Sequence, residues 1–216
     1  MTDTPEALWP KAVLLDIEGT TTSLSFVADT LFPFARKHLA TYCKRNPALA
    51  APILAEVPGD DPVATLLEWM DEDRKATPLK AIQGKIWAIG FANGDLDGHV
   101  YPDTPVAMRR WREKGIAVHI YSSGSIEAQK QIFGNSLAGN LTPLIGEYFD
   151  TTTGPKREAE SYRKIAAALG LPVGDVLFVS DMQAEIDAAR DAGMAAVLID
   201  REGGAGEVST LAEVAP

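Results

Sequence analysis

The sequence predicts an α/β protein: a doubly wound, mainly parallel sheet with an all-helical block inserted after its first strand. Three observations predict it. Residues 12–15, 116–121, 176–179 and 195–199 form short runs of Ala, Val, Ile and Leu with little polar alternation. Strands read this way when helices cover both faces of their sheet. Segments of helical character that stop at glycine separate those runs, and strand alternating with helix is the pattern of a doubly wound sheet. Between the first run and the helix that precedes the second, residues 23–97 contain no convincing strand.

In chain order, residues 12–15 (AVLL) lead into Asp16-Ile17-Glu18-Gly19-Thr20. Phe26, Val27, Leu31, Phe32, Ala35 and Leu39 then fall at helical spacing, with Pro33 expected to kink or divide the segment. Asp61-Pro62 opens a second helix through Leu66, Leu67 and Met70. Thr77-Pro78 opens a third through Ile82, Ile86, Trp87 and Ile89 to Gly94. The helix over residues 105–114 takes Thr104 as its N-cap, Pro105 as its first position and Gly115 as its stop. After the 116–121 strand come a helix over 125–133, a weaker strand at Tyr148-Phe149 and a helix over 158–169 closed by Gly170. The 176–179 strand, a helix over 183–192 ending at Gly193 and the 195–199 strand complete the pattern. Residues 202–207 read as a surface turn. The organisation expected is a core of residues 1–22 and 98–216 with a helical cap of residues 23–97. Loops at the carboxyl ends of parallel strands build the sites of α/β proteins, which favours a cap there over helices added to one face.

At 216 residues, with roughly 150 per domain as a guide, the chain suits one domain plus an insertion or two small domains. Its 46% hydrophobic and 23% charged residues are ordinary for a globular chain, which argues against a fibrous or disordered one. The 30 acidic against 20 basic residues leave a net charge of −10, so nucleic acid and anionic membrane are poor partners. A small anionic ligand then needs a local positive cluster to receive it. Cys43 is the single cysteine, which fits a reducing compartment. Residues 1–6 lack the basic and apolar regions of a secretory signal, and no apolar run reaches the roughly 18 residues that span a bilayer. A cytoplasmic location is expected.

The residues able to do chemistry sit at strand ends. Asp16 and Glu18, two apart, leave the first strand on one side, where two carboxylates repel unless a cation, proton or hydrogen bond compensates them. A solvated turn explains that pair equally well. Tyr121-Ser122-Ser123-Gly124-Ser125 runs into a helix, either as an anion cradle or as plain capping by Ser123 or Ser125. Asp181 and Glu185 follow the 176–179 strand, where an N-cap and a first-turn acid would look the same. Lys156, after Gly154-Pro155, reads in isolation as a surface charge. His38 and His119 read as structural, and His99 is left open between cleft and framework. Phe26, Trp87 and Phe91 read as core aromatics.

Taken together, Asp16 with Glu18, Ser122, Lys156, and Asp181 with Glu185 resemble the four ordered motifs of the haloacid dehalogenase-like hydrolase superfamily. The longer strings Asp16-Ile17-Glu18-Gly19-Thr20-Thr21-Thr22, Tyr121-Ser122-Ser123-Gly124-Ser125, Tyr148-Phe149-Asp150-Thr151 and Gln83-Gly84-Lys85-Ile86-Trp87, with Gly90-Phe91 and Gly94, are similar to its acireductone synthase, or enolase-phosphatase, family. The resemblance implies a bifunctional enzyme of methionine salvage. It would enolise 2,3-diketo-5-methylthiopentyl 1-phosphate and then remove the phosphate through an aspartyl-phosphate, with Mg²⁺ as cofactor and a monomeric chain. In that scheme Asp16, Glu18 and Asp181 hold the metal, Asp16, Glu18 and Lys156 are catalytic, and Ser122, Ser123 and Lys156 bind substrate. Glu185 stands behind them. Two unit charges 4 Å apart interact by about 4 kcal/mol at an effective dielectric of 20, so four carboxylates beside a phosphate require cations. Oxygen donors without a Cys/His cluster suit Mg²⁺ better than zinc. A general phosphomonoesterase and a silent scaffold binding a protein partner are the alternative readings. A dehalogenase fits less well, since halide displacement needs no metal site.

Overall fold

The computed structural model describes residues 9–214, so the expectation for residues 1–6 lies outside them. Five strands form one parallel sheet: β1 (Ala12–Leu15), β2 (Ala117–Tyr121), β3 (Tyr148–Phe149), β4 (Val176–Ser180) and β5 (Ala195–Leu198), in the order β3-β2-β1-β4-β5. Register pairs Leu14 with His119 on one side and with Phe178 on the other. Because the chain runs outward from β1 first to one side and then to the other, the topological switch lies between β1 and β4. Ligands bind beyond the carboxyl ends at such a point.

Alternation along β1 divides the core. Val13 and Leu15 belong to one buried cluster with Val118, Ile120, Trp111 and Phe133, while Ala12 and Leu14 belong to a second with Tyr162, Ile165, Phe178 and Ile186. The first face is covered by α6 (Asp103–Glu113) and α7 (Ile126–Gly134), the second by α8 (Ala159–Ala168) and α9 (Gln183–Asp191). Gly115, Gly170 and Gly193 follow three of these helices with φ of +75°, +68° and +90°, the left-handed region where a side chain is strained.

The inserted block is helical throughout: α1 (Leu24–Phe26), α2 (Phe32–Arg45), α3 (Pro47–Leu54), α4 (Pro62–Asp71) and α5 (Thr77–Asn93). Asp61 caps α4 by accepting from the Val63 and Ala64 amides at 3.1 Å. Gly94, at φ +74°, ends α5. Pro33 does not divide its segment. The turns before it widen to a π-helix over Val27–Leu31, with the Phe32 amide bonding to Val27, and α-geometry resumes from Phe32. The extra residue gives room to a ring that would meet the preceding turn and lacks an N–H to bond it.

Thr104 is not an N-cap. The helix starts at Asp103, two residues before the expected first position, and the buried Thr104 hydroxyl donates to the Thr21 carbonyl at 3.2 Å. None of the helices among the described residues is long and apolar enough to cross a membrane.

Candidate active site

Asp16 follows β1 directly and is 4% exposed, with its amide on the Val179 carbonyl at 3.0 Å. Its Oδ1 accepts from the Ile17 amide at 2.7 Å and pairs with Lys156 Nζ at 2.7 Å. Lys156 reaches Glu185 Oε2 at 2.6 Å as well, so one ammonium bridges two carboxylates. The side chain of Lys156 is 9% exposed, which overturns its isolated reading as a surface charge. Burial alone would lower its pKa, but the adjacent Asp16 and Glu185 outweigh burial and raise it.

The irregular loop carrying Lys156 is held by hydroxyls. Tyr121 donates to the Gly154 carbonyl at 2.9 Å, Ser161 to Pro155 at 2.7 Å and Tyr162 to Lys156 at 2.6 Å. Three successive carbonyls, which no strand or helix satisfies, each receive one side-chain donor.

Asp181 follows β4 but does not cap α9. Met182 occupies that position, and the Met182 amide donates to the Ser180 hydroxyl at 3.2 Å. The Asp181 carboxylate is left to face Gly19, where a Cβ would collide with it. Burial, followed by the charge of Asp16, pushes its pKa up to about 6. Glu18 is raised for the same two reasons, with Lys75 and Lys156 partly opposing. Among the described residues no ion pair neutralises Glu18 or Asp181. These oxygen donors therefore fit a hard cation. They form no ready-made cage of three His, Cys, Asp or Glu side chains among the described residues. Mg²⁺ suits that arrangement, since it keeps several waters and uses one or two carboxylates.

Behind this group the 19–22 turn is pinned from outside. Arg201 donates through Nε to the Thr20 carbonyl at 2.9 Å and pairs with Asp103 at 2.7 Å, while Thr20 Oγ1 accepts the Asp181 amide at 3.1 Å.

Ser122 and Ser123 lie at the tip of β2. Ser122 Oγ accepts the Gly124 amide at 3.2 Å, and it is Ser125 that caps α7, accepting from Ala128 at 3.3 Å. Ser123 is thus free of the capping role. Glu18, Ser122 and Ser123 border a cleft, open to solvent, between the sheet tips and the inserted helices. Apolar side chains of Leu31, Trp69, Met70, Trp87 and Ile132 also line it.

Arg74, Lys75 and Lys80 also border the cleft, and sequence reasoning missed all three. Asp73 borders it too and pairs with Lys75 at 2.6 Å. The lining thus carries two more cations than that one acid can neutralise, the local positive charge that a chain of net charge −10 needs in order to receive an anion. Lys80 Nζ donates to the Ser123 carbonyl at 2.9 Å, and burial lowers its pKa. A signal existed: Lys80, Gln83 and Trp87 recur at helical spacing on the face of α5 that meets the cleft, a polar pair next to an aromatic. Trp87, read as core, borders the cleft and donates its indole N–H to the Leu31 carbonyl at 2.7 Å, inside the π-turn. Phe26 and Phe91 do not border it.

His99 is a framework residue. Its Nδ1 accepts from the Ser23 amide at 3.2 Å and from the Thr22 hydroxyl at 2.9 Å, tying together the two connections of the inserted block. His119 accepts the Glu147 amide at 2.9 Å within the sheet, and His38 stacks on Phe34 at 4.4 Å between ring centres.

Residues 10–193 match the haloacid dehalogenase-like hydrolase family. Enolase-phosphatase E1 of Pseudomonas syringae pv. syringae is 54% identical over 206 residues, 90% of this chain and 91% of that protein. The enzyme of the same name from Azotobacter vinelandii is 51% identical over 90% of both chains. The crystal structure of the UTR4 protein of Saccharomyces cerevisiae superposes with a TM-score of 0.80 at 35% identity, covering 91% of this chain and 92% of that one. The strand-tip carboxylates and the bridging lysine are thus set in a chain that belongs to the haloacid dehalogenase-like hydrolases and, within them, to the enolase-phosphatase family.

Proposed function

We propose that the cleft takes 2,3-diketo-5-methylthiopentyl 1-phosphate, enolises it and removes its phosphate to give the acireductone of methionine salvage. The reading is supported above all by the mixed lining of the cleft, where Glu18, Ser122 and Ser123 and the cations Arg74, Lys75 and Lys80 share the walls with Trp69, Trp87, Leu31 and Met70. A ligand with an anionic head and an unbranched apolar tail matches that combination of cationic and apolar groups.

Comparison of substrate with product puts the chemistry at C1, which loses a proton as C2 gains its enol hydroxyl. C1 carries the phosphate ester, so the base has to act beside the phosphoryl group. Glu18, two residues from Asp16 and raised in pKa by burial, suits that position. Lys80, bonded to Ser123 and bordering the same cleft, would hold the developing enolate oxygen and give it the proton of the C2 hydroxyl, regaining one from solvent. Asp16 then attacks phosphorus, the bond to the enol oxygen breaks, and Glu18 returns the proton to that leaving oxygen. Water cleaves the acyl-phosphate and restores the Asp16 carboxylate. Ser122, Ser123 and Lys156 bind phosphate oxygens throughout.

Asp16 and Asp181, with Glu18 through its carbonyl or side chain, would hold Mg²⁺, and Glu185 stands behind them. When bound, the ion supplies positive charge against the phosphate and the nucleophile. In this reading residues 23–97 form a cap domain over a core of residues 1–22 and 98–216, and the protein works as a cytoplasmic monomer.

The test is to supply the diketo phosphate with Mg²⁺ and follow enol absorbance and free phosphate in a single turnover. Enol formation preceding phosphate release is expected, and Asp16→Asn should abolish release while the protein stays folded. Phosphate release without any enol, matched by equal turnover of unrelated esters, would reduce the protein to a general phosphomonoesterase.

A further inference from the structure

Asp16 and Glu185 are joined by two bridges, and only one of them involves Lys156. The other is Ser180, the last residue of β4, which is fully buried. Its Oγ lies 3.0 Å from Asp16 Oδ2 and 3.0 Å from Glu185 Oε2. The Met182 amide donates to the same oxygen at 3.2 Å, which fixes the hydroxyl from behind. The four side chains therefore close a ring: Asp16, Lys156, Glu185 and Ser180.

The two bridges differ in what substrate asks of them. Lys156 has three protons, and two already point at Asp16 and Glu185. An incoming phosphate draws on the same ammonium and loosens that bridge. Ser180 has no such competitor, because it is buried behind the carboxylates. A hydroxyl carries one proton and can donate to one carboxylate at a time. While Asp16 is a carboxylate, Ser180 donates to it and holds the plane that Lys156 and the Ile17 amide hold from the other oxygen. Once Asp16 carries phosphorus its negative charge is gone, its remaining carbonyl oxygen is a poorer acceptor, and Glu185 becomes the better one.

We infer that Ser180 is a positioning residue for the nucleophile: its hydroxyl holds Asp16 for attack and turns to Glu185 during the life of the acyl-phosphate, keeping its proton throughout. No bond beyond those of the phosphoryl transfer forms or breaks. The inference rests on Asp16 being the nucleophile, so that point is tested separately.

The experiment uses the full chain with 4-nitrophenyl phosphate and saturating Mg²⁺. Parent activity together with an inactive Asp16→Asn establishes the nucleophile, and failure there would count against the proposed function rather than against Ser180. Ser180→Ala should then lower kcat by about ten- to a hundredfold, on the scale of a misplaced reacting group. KM and the Mg²⁺ activation constant should stay within about twofold. Ser180→Thr, which keeps the hydroxyl, should recover most of the loss. If the Ala variant does not fold, Ser180→Cys replaces it, since a thiol of similar size is only a weak donor. A kcat within twofold of the parent in the folded Ala or Cys variant would overturn the inference. So would a lower kcat accompanied by a raised KM and a raised Mg²⁺ activation constant, with no recovery in the Thr variant, since that pattern marks a merely structural residue.

Discussion

Asp181 shows how a carboxylate placed for a cation acts on the protein without one. Its pKa is pushed up to about 6 from an ordinary 3.8, mainly by burial and then by Asp16. The folded state thus holds this proton more tightly than the unfolded chain does. The favourable contribution is complete below about pH 3.8 and is lost as pH rises through 6. Asp181→Asn removes the penalty. After allowance for solvent screening, it should stabilise the metal-free protein by about 1–2 kcal/mol at pH 7.5, or roughly 2–8 °C in Tm. The same change should abolish Mg²⁺-dependent activity. A lower or equal melting temperature in chelator would show that Asp181 is compensated by something else. Glu18→Asp tests the other unpaired acid. A carboxylate withdrawn by one methylene should slow proton abstraction at C1 by about a hundredfold. Hydrolysis of 4-nitrophenyl phosphate should fall much less, because Asp16 is untouched and nitrophenolate leaves without the proton that Glu18 carries. Equal losses, followed as enol absorbance and released phosphate, would mean that Glu18 serves both steps alike. The strand-end positions of Asp16, Glu18, Ser122 and Asp181 were legible because the apolar runs before them read as buried strands, while their grouping into one site rested on the ordered motifs. Lys156 was legible only by its place in the order of motifs. Lys75 and Lys80 were not, because a lysine on a helix or in a turn looks the same whether it faces bulk water or a cleft.

Each element gives its strand-tip residues a setting that the residue types alone do not reveal. The loop before α8 reaches Lys156 without regular structure, and the hydroxyls of Tyr121, Ser161 and Tyr162 take the place of a ladder. Tyr162 is fully buried, so Tyr162→Phe keeps the packing and removes one donor from the Lys156 carbonyl. An unpaired buried carbonyl costs about 1–3 kcal/mol, which should appear as a lower Tm. The freed loop should also raise KM for phosphate esters several-fold, since it carries the ammonium that meets them. A change in Tm with KM untouched would make the hydroxyl a purely structural tie. Strands were easy to read because their runs are short and uniformly apolar. The helix α3 escaped notice: its Ala- and Pro-rich sequence leaves Ala50 as its one buried side chain, too little to show a periodicity. The π-turn was illegible for another reason. Pro33 announces a disturbance, but whether a helix kinks or widens depends on the partners waiting there. Trp87 is one of them, through its bond to Leu31.

Across the whole molecule the inserted helices and the sheet share apolar surface. One buried cluster runs from Val13, Leu15, Val118 and Ile120 of the sheet into Val27, Leu31, Ile82 and Trp87 of the inserted helices. Polar ties reinforce the junction: Lys80 on Ser123, Gln131 on the Gly84 carbonyl at 3.3 Å, and Lys85 with Glu127 at 3.2 Å. The last is an exposed pair, worth at most about 1 kcal/mol. The shared cluster carries most of the coupling, because burial is proportional to area and each large side chain contributes about 1.5–3 kcal/mol. Gly98, where the chain returns to the core, sits so close that a Cβ would run into the Ile132 carbonyl. An insertion attached only by its two linkers would unfold by itself, at lower denaturant than the sheet. A shared cluster makes the opposite expectation: one cooperative transition. Trp69 and Trp87 report on the inserted helices, while the fully buried Trp111 of α6 reports on the core. In urea and chelator, a variant keeping Trp111 alone and one keeping Trp87 alone should each show the same midpoint by fluorescence as by circular dichroism. Adding Mg²⁺ and inorganic phosphate should move all the midpoints upward together, because a ligand held by β-strand tips and α5 stabilises both parts at once. A Trp87 transition well below that of Trp111 would show that the junction is too weak to make the cleft a property of the whole fold.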